Sequence, residues 1–205
     1  MIESVSIDPR VKVRLAKNLL LLPRVPVVQA FDEESARIFR QEMSIAHRSG
    51  QPIIPVIIDS YGGDAYSLLS MVDTIRSAKV PVATILQGKA MSCGAVLFTC
   101  GTDGYRFIAP NATLMIHEVS SGVPFRKAEE VVADAKETNR LNKKLFRTMD
   151  VNCGQKNGFF WRLVQEKSRV DWYITPREAV RLKLANHIKV PSLRTEVKVE
   201  VALDY

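Results

Sequence analysis

Hydrophobic positions along this chain recur at two spacings, and each change of spacing marks an element. A first strand is predicted over residues 24–30, where valines dominate around Pro26. Asp32 then suits an N-cap for a helix over 33–47, with Ala36, Phe39, Met43 and Ala46 on one face and Gly50 closing it. Residues 52–59 are almost continuously apolar, as expected of a strand covered on both faces. The stretch Ser60-Tyr61-Gly62-Gly63-Asp64 follows, then a helix with Ala65, Leu68, Leu69, Val72 and Ile75 along one side. A third strand is predicted over 80–87, a turn over 88–92 and a short buried helix ending near Gly101.

Two short strands, 106–109 and 113–117, flank the Pro110-Asn111 turn. The longest helical pattern runs over 126–150, and a helix of about 25 residues rises about 37 Å, so part of it should project from the domain. A second helix is predicted over 158–167 and a strand over 171–174. Thr175 and Glu178 then form a capping box around Pro176 for a helix reaching Leu184. Val197, Val199 and Val201 alternate as in a strand. The order strand–helix–strand–helix–strand implies an α/β fold with a largely parallel sheet. The expected organisation is an N-terminal arm over 1–24, one domain over 25–190 and a tail, read as a strand, over 191–205.

Composition adds limits. The chain has 205 residues and 46% hydrophobic and 25% charged residues, the values of an ordinary globular domain. Its net charge is +7, but basic residues come in pairs at most and lack interleaved aromatics, so no nucleic-acid partner is expected. Cys93, Cys100 and Cys153 fit neither a metal motif nor a disulfide framework, which points to a reducing compartment and no metal. Leu19 to Leu22 is the longest leucine run and is too short for a signal-peptide core or a membrane span; a cytoplasmic protein is expected.

Three features could carry chemistry. Ser92 sits at a strand-to-helix junction, where its hydroxyl would be exposed and the next amides would point the same way; the competing reading is a simple N-cap. His117 ends an apolar strand and could serve as a general base, or be structural. Gly62 and Gly63 end the buried strand at the edge where open α/β sheets bind ligands. A carboxylate to orient the histidine could be Asp103, Asp134, Asp150 or Asp171, and spacing does not choose among them.

Taken together, Ile58-Asp59-Ser60-Tyr61-Gly62-Gly63, Gly88-Lys89-Ala90-Met91-Ser92-Cys93-Gly94-Ala95, Leu114-Met115-Ile116-His117-Glu118 and Asp171-Trp172-Tyr173-Ile174-Thr175 resemble the proteolytic subunit of the Clp protease, ClpP, within the crotonase-like fold. The resemblance covers about residues 25–190, in family order. It implies repeated β-β-α units with a protruding handle, here 123–150. It implies Ser92 as nucleophile, His117 as base and then acid, and Asp171 as the orienting carboxylate. The amides of Gly63 and Cys93 would form the oxyanion hole, and Gly62, Gly63, Glu118, Val119 and Ser120 would bind the peptide as an added strand. No cofactor is implied. The implied partners are polypeptide substrates, further copies of the chain in a heptamer or tetradecamer, and an AAA+ unfoldase.

Several positions depart from the family pattern. Tyr61 and Val119 replace prolines, Arg169-Val170 replaces an Asp-Arg pair between rings, and Pro55 and Ile57 replace tyrosines of the unfoldase-docking pockets. They suggest a divergent, phage-type member. They also keep open an ATP-independent phage head-maturation or signal-peptide-peptidase-like serine protease, and an inactive ring subunit that scaffolds an active partner.

Overall fold

Strand β3 (Val82–Met91) is the axis of the domain, and it serves two sets of neighbours. The computed structural model describes residues 23–120, 127–167 and 170–194. The first half of β3 pairs in parallel with β2 (Ile54–Ser60) on one side and β4 (Arg106–Ile108) on the other. Its second half exchanges β4 for β5 (Thr113–Ile116), with Lys89, Ala90 and Met91 opposite Thr113, Leu114 and Met115. Residues 88–91 are therefore strand, where the sequence suggests a turn. The new pairing with β5 is the reason, and Gly88, with a φ of +82°, accommodates a bend at the exchange. A Cβ there would lie 2.8 Å from the Asp59 carboxylate, so the bend also requires the missing side chain.

The sheet continues outward through β1 (Val27–Val28), parallel to β2, and β7 (His187–Ile188), parallel to β4. β1 is shorter than the valine pattern suggests, and β7 carries no signal long enough to predict. Strand β6 (Trp172–Ile174) is the one antiparallel member among the described residues, and it pairs only with β5. Helices α1 (Glu33–Arg48), α2 (Ala65–Arg76) and α3 (Cys93–Thr99) connect the parallel strands, as the alternation of periods requires. Asp32 and Asp64 cap α1 and α2 through their carboxylates, each accepting the amide three residues on at 2.7 Å.

Helix α4 (Ala128–Asn152) divides in two. Its first half buries no apolar side chain, leaving Val131 and Val132 54% and 56% exposed, whereas Leu141, Leu145, Phe146 and Met149 join the core. The expected projection is present. Helices α5 (Phe159–Glu166) and α6 (Pro176–Arg181) follow, α6 starting on the expected Thr175–Glu178 box and stopping short of Leu184. Among the described residues no helix is long and apolar enough to cross a membrane. The N-terminal arm apart from Pro23 and Arg24, the start of the handle, Arg169 and the terminal valine alternation lie outside the described residues.

Candidate active site

β3 delivers Ser92 to the mouth of a cavity of about 560 Å³. The Ser92 backbone takes φ 54° and ψ −118°, a conformation that costs a non-glycine residue on the order of 1–3 kcal/mol. Its amide is held by the Met115 carbonyl at 2.9 Å, so the strand ladder persists up to the serine. Although Ser92 is the N-cap of α3, its side chain makes no capping hydrogen bond. The simple N-cap reading is thus not what the hydroxyl does. The sharp turn leaves it uncapped and in hydrogen-bond contact with the Cys93 thiol, and the first amides of α3 follow at once.

Gly62 and Gly63 flank this turn from the end of β2. A Cβ on Gly62 would lie 2.8 Å from the Ser92 Cβ, and one on Gly63 would lie 2.5 Å from the Phe31 carbonyl oxygen. Both positions therefore exclude side chains, and both also have positive φ, 105° and 148°. Gly63 is bridged to Phe31, and the neighbouring Asp64 amide donates to the Phe31 carbonyl at 2.7 Å. The backbones of Gly63 and of Cys93 itself both hydrogen-bond with the Cys93 thiol. The Gly62 amide donates to Ser60 Oγ at 3.1 Å.

Cys93 adjoins the serine and is buried. Burial pushes its thiol up to about 11, so the sulfur stays protonated near neutral pH. The S–H instead donates to the Gly63 carbonyl at 3.2 Å, tying α3 to the glycine turn. Cys100 and Cys153 are likewise pushed up by burial, to about 11 and about 12.

His117 follows β5 directly. In the β5–β6 ladder Leu114, Met115 and Ile116 face Ile174, Tyr173 and Trp172. One step further along the same register brings His117 opposite Asp171. The two side chains stand 4.0 Å apart, His117 Nδ1 to Asp171 Oδ1, with the aspartate side chain 52% exposed and the histidine 24%. Ser92 and His117 line the same cavity, and Asp171 lies behind the histidine, off the cavity wall. No hydrogen bond joins Ser92 Oγ to His117 among the described residues.

The other aspartates have different positions. Asp103 accepts from Arg106 at 3.0 Å and Asn186 at 3.1 Å. Asp150 is buried and accepts the Gly158 and Phe160 amides at the start of α5, at 2.7 and 3.0 Å. Asp134 stands on the cavity wall supplied by α4.

Of the residues expected to bind peptide, Gly63, Val119 and Ser120 line the cavity, whereas Gly62 and Glu118 do not. Glu118 is turned toward Gln165 of α5, with which it hydrogen-bonds. The cavity floor is apolar, built by Val96, Ile116, Leu141, Leu145, Phe146 and Met149. Sequence reading missed two polar groups on its wall. Asn142 accepts the Val119 amide at 2.7 Å, and Glu137 of α4 accepts from Tyr66 of α2 at 2.6 Å. Arg140 donates to the same carboxylate, and the two donors hold Glu137 down to about 2. A polar residue on the apolar stripe of α4 is the signal that could have found Asn142. The described residues include no cluster of three or more His, Cys, Asp or Glu suited to a metal.

Comparison with known proteins agrees with this architecture. The model of the Clp protease family matches residues 11–191. The chain is 30% identical over 176 residues to an ATP-dependent Clp protease proteolytic subunit of Deinococcus radiodurans, spanning 85% of this chain and 82% of that protein. It is 32% identical to ATP-dependent Clp protease proteolytic subunit 3 of a Synechococcus strain, over 68% of each chain. A third relative, proteolytic subunit 1 of Bifidobacterium longum, is 27% identical over 78% of this chain and 67% of its own length. The chain belongs to the Clp protease family of serine peptidases.

Proposed function

We propose that this chain is an endopeptidase that cuts polypeptides through an acyl-enzyme on Ser92. His117 takes the Ser92 proton as Oγ attacks the scissile carbonyl, and returns it to the leaving amine. Water, deprotonated by the same imidazole, then releases the acyl group. Asp171 holds the imidazole in the required tautomer. The amides of Gly63 and Cys93 meet the oxyanion, each such donor being worth about 3 kcal/mol in the transition state. The observation that carries this reading is the strained Ser92 turn, its hydroxyl uncapped at the start of α3 and sharing a cavity with His117. The β5–β6 register, which brings Asp171 behind that histidine, supports it.

The peptide lies as a strand between the Gly62-Gly63 turn and residues 118–120, with an apolar side chain on the cavity floor. The protease domain spans 25–190, and its handle, 123–150, meets other copies to enclose a heptameric or tetradecameric chamber. The exposed apolar side chains of the first half of α4 favour that role. An AAA+ unfoldase feeds the chamber in the cytoplasm of a bacterial or phage-infected cell; the relatives are named as ATP-dependent. One observation favours the inactive-scaffold alternative, namely the open spacing of Ser92, His117 and Asp171. Catalytic hydrogen bonds often close only around substrate, so the active reading stands ahead. Fluorophosphonate labelling decides between them. Ser92 should be modified in the assembled protein, and Ser92→Ala should lose both label and peptide cleavage, by at least about a thousandfold, while the native mass persists. An unlabelled Ser92 in an intact assembly overturns the active reading.

A further inference from the structure

We propose that Asn142 is a positioning residue for the peptide strand, acting through the backbone of Val119; this rests on the assignment of Ser92 and the cavity above. Asn142 lies on the inward stripe of α4, in line with Leu145, Phe146 and Met149, and is only 5% exposed. An amide side chain at such a position costs desolvation that a leucine would avoid, unless its polar atoms are used. Its Oδ1 is used on one group, the Val119 amide, 2.7 Å away.

That amide lies two residues beyond His117, in a segment without strand pairing of its own. The segment is tied on both sides. Glu118 reaches Gln165 on α5, and Val119 is held from α4, its side chain packed against the core. Along an extended chain successive amides alternate in direction. Turning the Val119 N–H toward α4 turns the polar groups of Glu118 and Ser120 the opposite way, where an added strand can pair with them. Asn142 thereby presets the face that the peptide reads, and lowers the ordering cost of binding.

This role predicts an effect that grows with the number of substrate residues engaging the segment. Peptidyl phosphonates that modify the nucleophilic serine, carrying either one or four residues before the phosphorus, measure it on the assembled full-length protein. In the wild type the longer probe should label Ser92 faster than the shorter. In Asn142→Leu the ratio of long to short labelling rates should fall at least about fivefold, the size of one lost hydrogen bond. Asn142→Asp, which keeps an acceptor for the Val119 amide, should restore the ratio to within about twofold. A leucine variant that folds, labels with the short probe and keeps the wild-type ratio overturns the inference. So does an aspartate variant with a ratio as low as that of the leucine variant, and this arm applies even where the leucine variant does not fold. A wild-type chain that takes up neither probe instead overturns the Ser92 assignment, so the two failures are distinguishable.

Discussion

On the proposed nucleophile side of the cavity, Ser92 and Gly63 follow two buried parallel strands that pair with each other. Gly63 is wedged against Phe31 and tied to Cys93. On the proposed base side, His117 and Asp171 face each other beyond a three-residue antiparallel pair, the aspartate half exposed and 4.0 Å away. The first side is held by core packing, where a misplaced atom must displace backbone. The second hangs on a short edge ladder with room around it. Preorganisation on the nucleophile side therefore draws on folding stability, whereas on the base side it draws mainly on orientation. Mutations should separate the two accordingly.

The largest expected effect is on rate alone. Asp171→Asn should lower kcat by about 10²–10⁴-fold, because the imidazole loses its orienting charge. Thermal unfolding should stay within about 0.5 kcal/mol of wild type, since the side chain is half exposed. Parallel kinetics and melting curves check this, and a large loss of stability would erase the contrast between the two sides. Gly63→Ala should do the reverse first. Its Cβ would lie 2.5 Å from the Phe31 carbonyl oxygen at a φ of 148°, so the variant should lose about 2–4 kcal/mol of stability. Denaturant titration reads that loss, and a wild-type midpoint would show that the turn is slack.

The smallest effect has the opposite sign. Ser92→Gly removes a side chain from a backbone with φ 54° and ψ −118°, and should gain about 1 kcal/mol while abolishing cleavage. Ser92→Ala keeps the Cβ and should gain nothing, so comparing the two melting points isolates backbone strain from loss of the hydroxyl.

Much of this arrangement was legible in the residues. The caps Asp32 and Thr175 announce their helices because capping is local chemistry between residues three apart. The exposed half of α4 could be anticipated from helix length alone. Strand boundaries were less accessible. β3 continues past Gly88 because its second half finds a new partner in β5, and no local signal carries that exchange.

The sequence by itself determined the alternation of strands and helices, the apolar stripes that form the core, and the candidate residues Ser92, His117 and Gly62-Gly63. These follow from periodicity, glycine and side-chain chemistry, all readable over a few neighbours. Spacing left four candidate aspartates and the resemblance pointed to Asp171; the tertiary structure shows how it comes to lie opposite His117, because a strand register joins positions 54 residues apart. It also decided that the Ser92 hydroxyl is not spent as a cap, that the Cys93 thiol braces Gly63, and that Asn142 grips the Val119 amide. Each of these depends on which distant segments the sheet brings side by side.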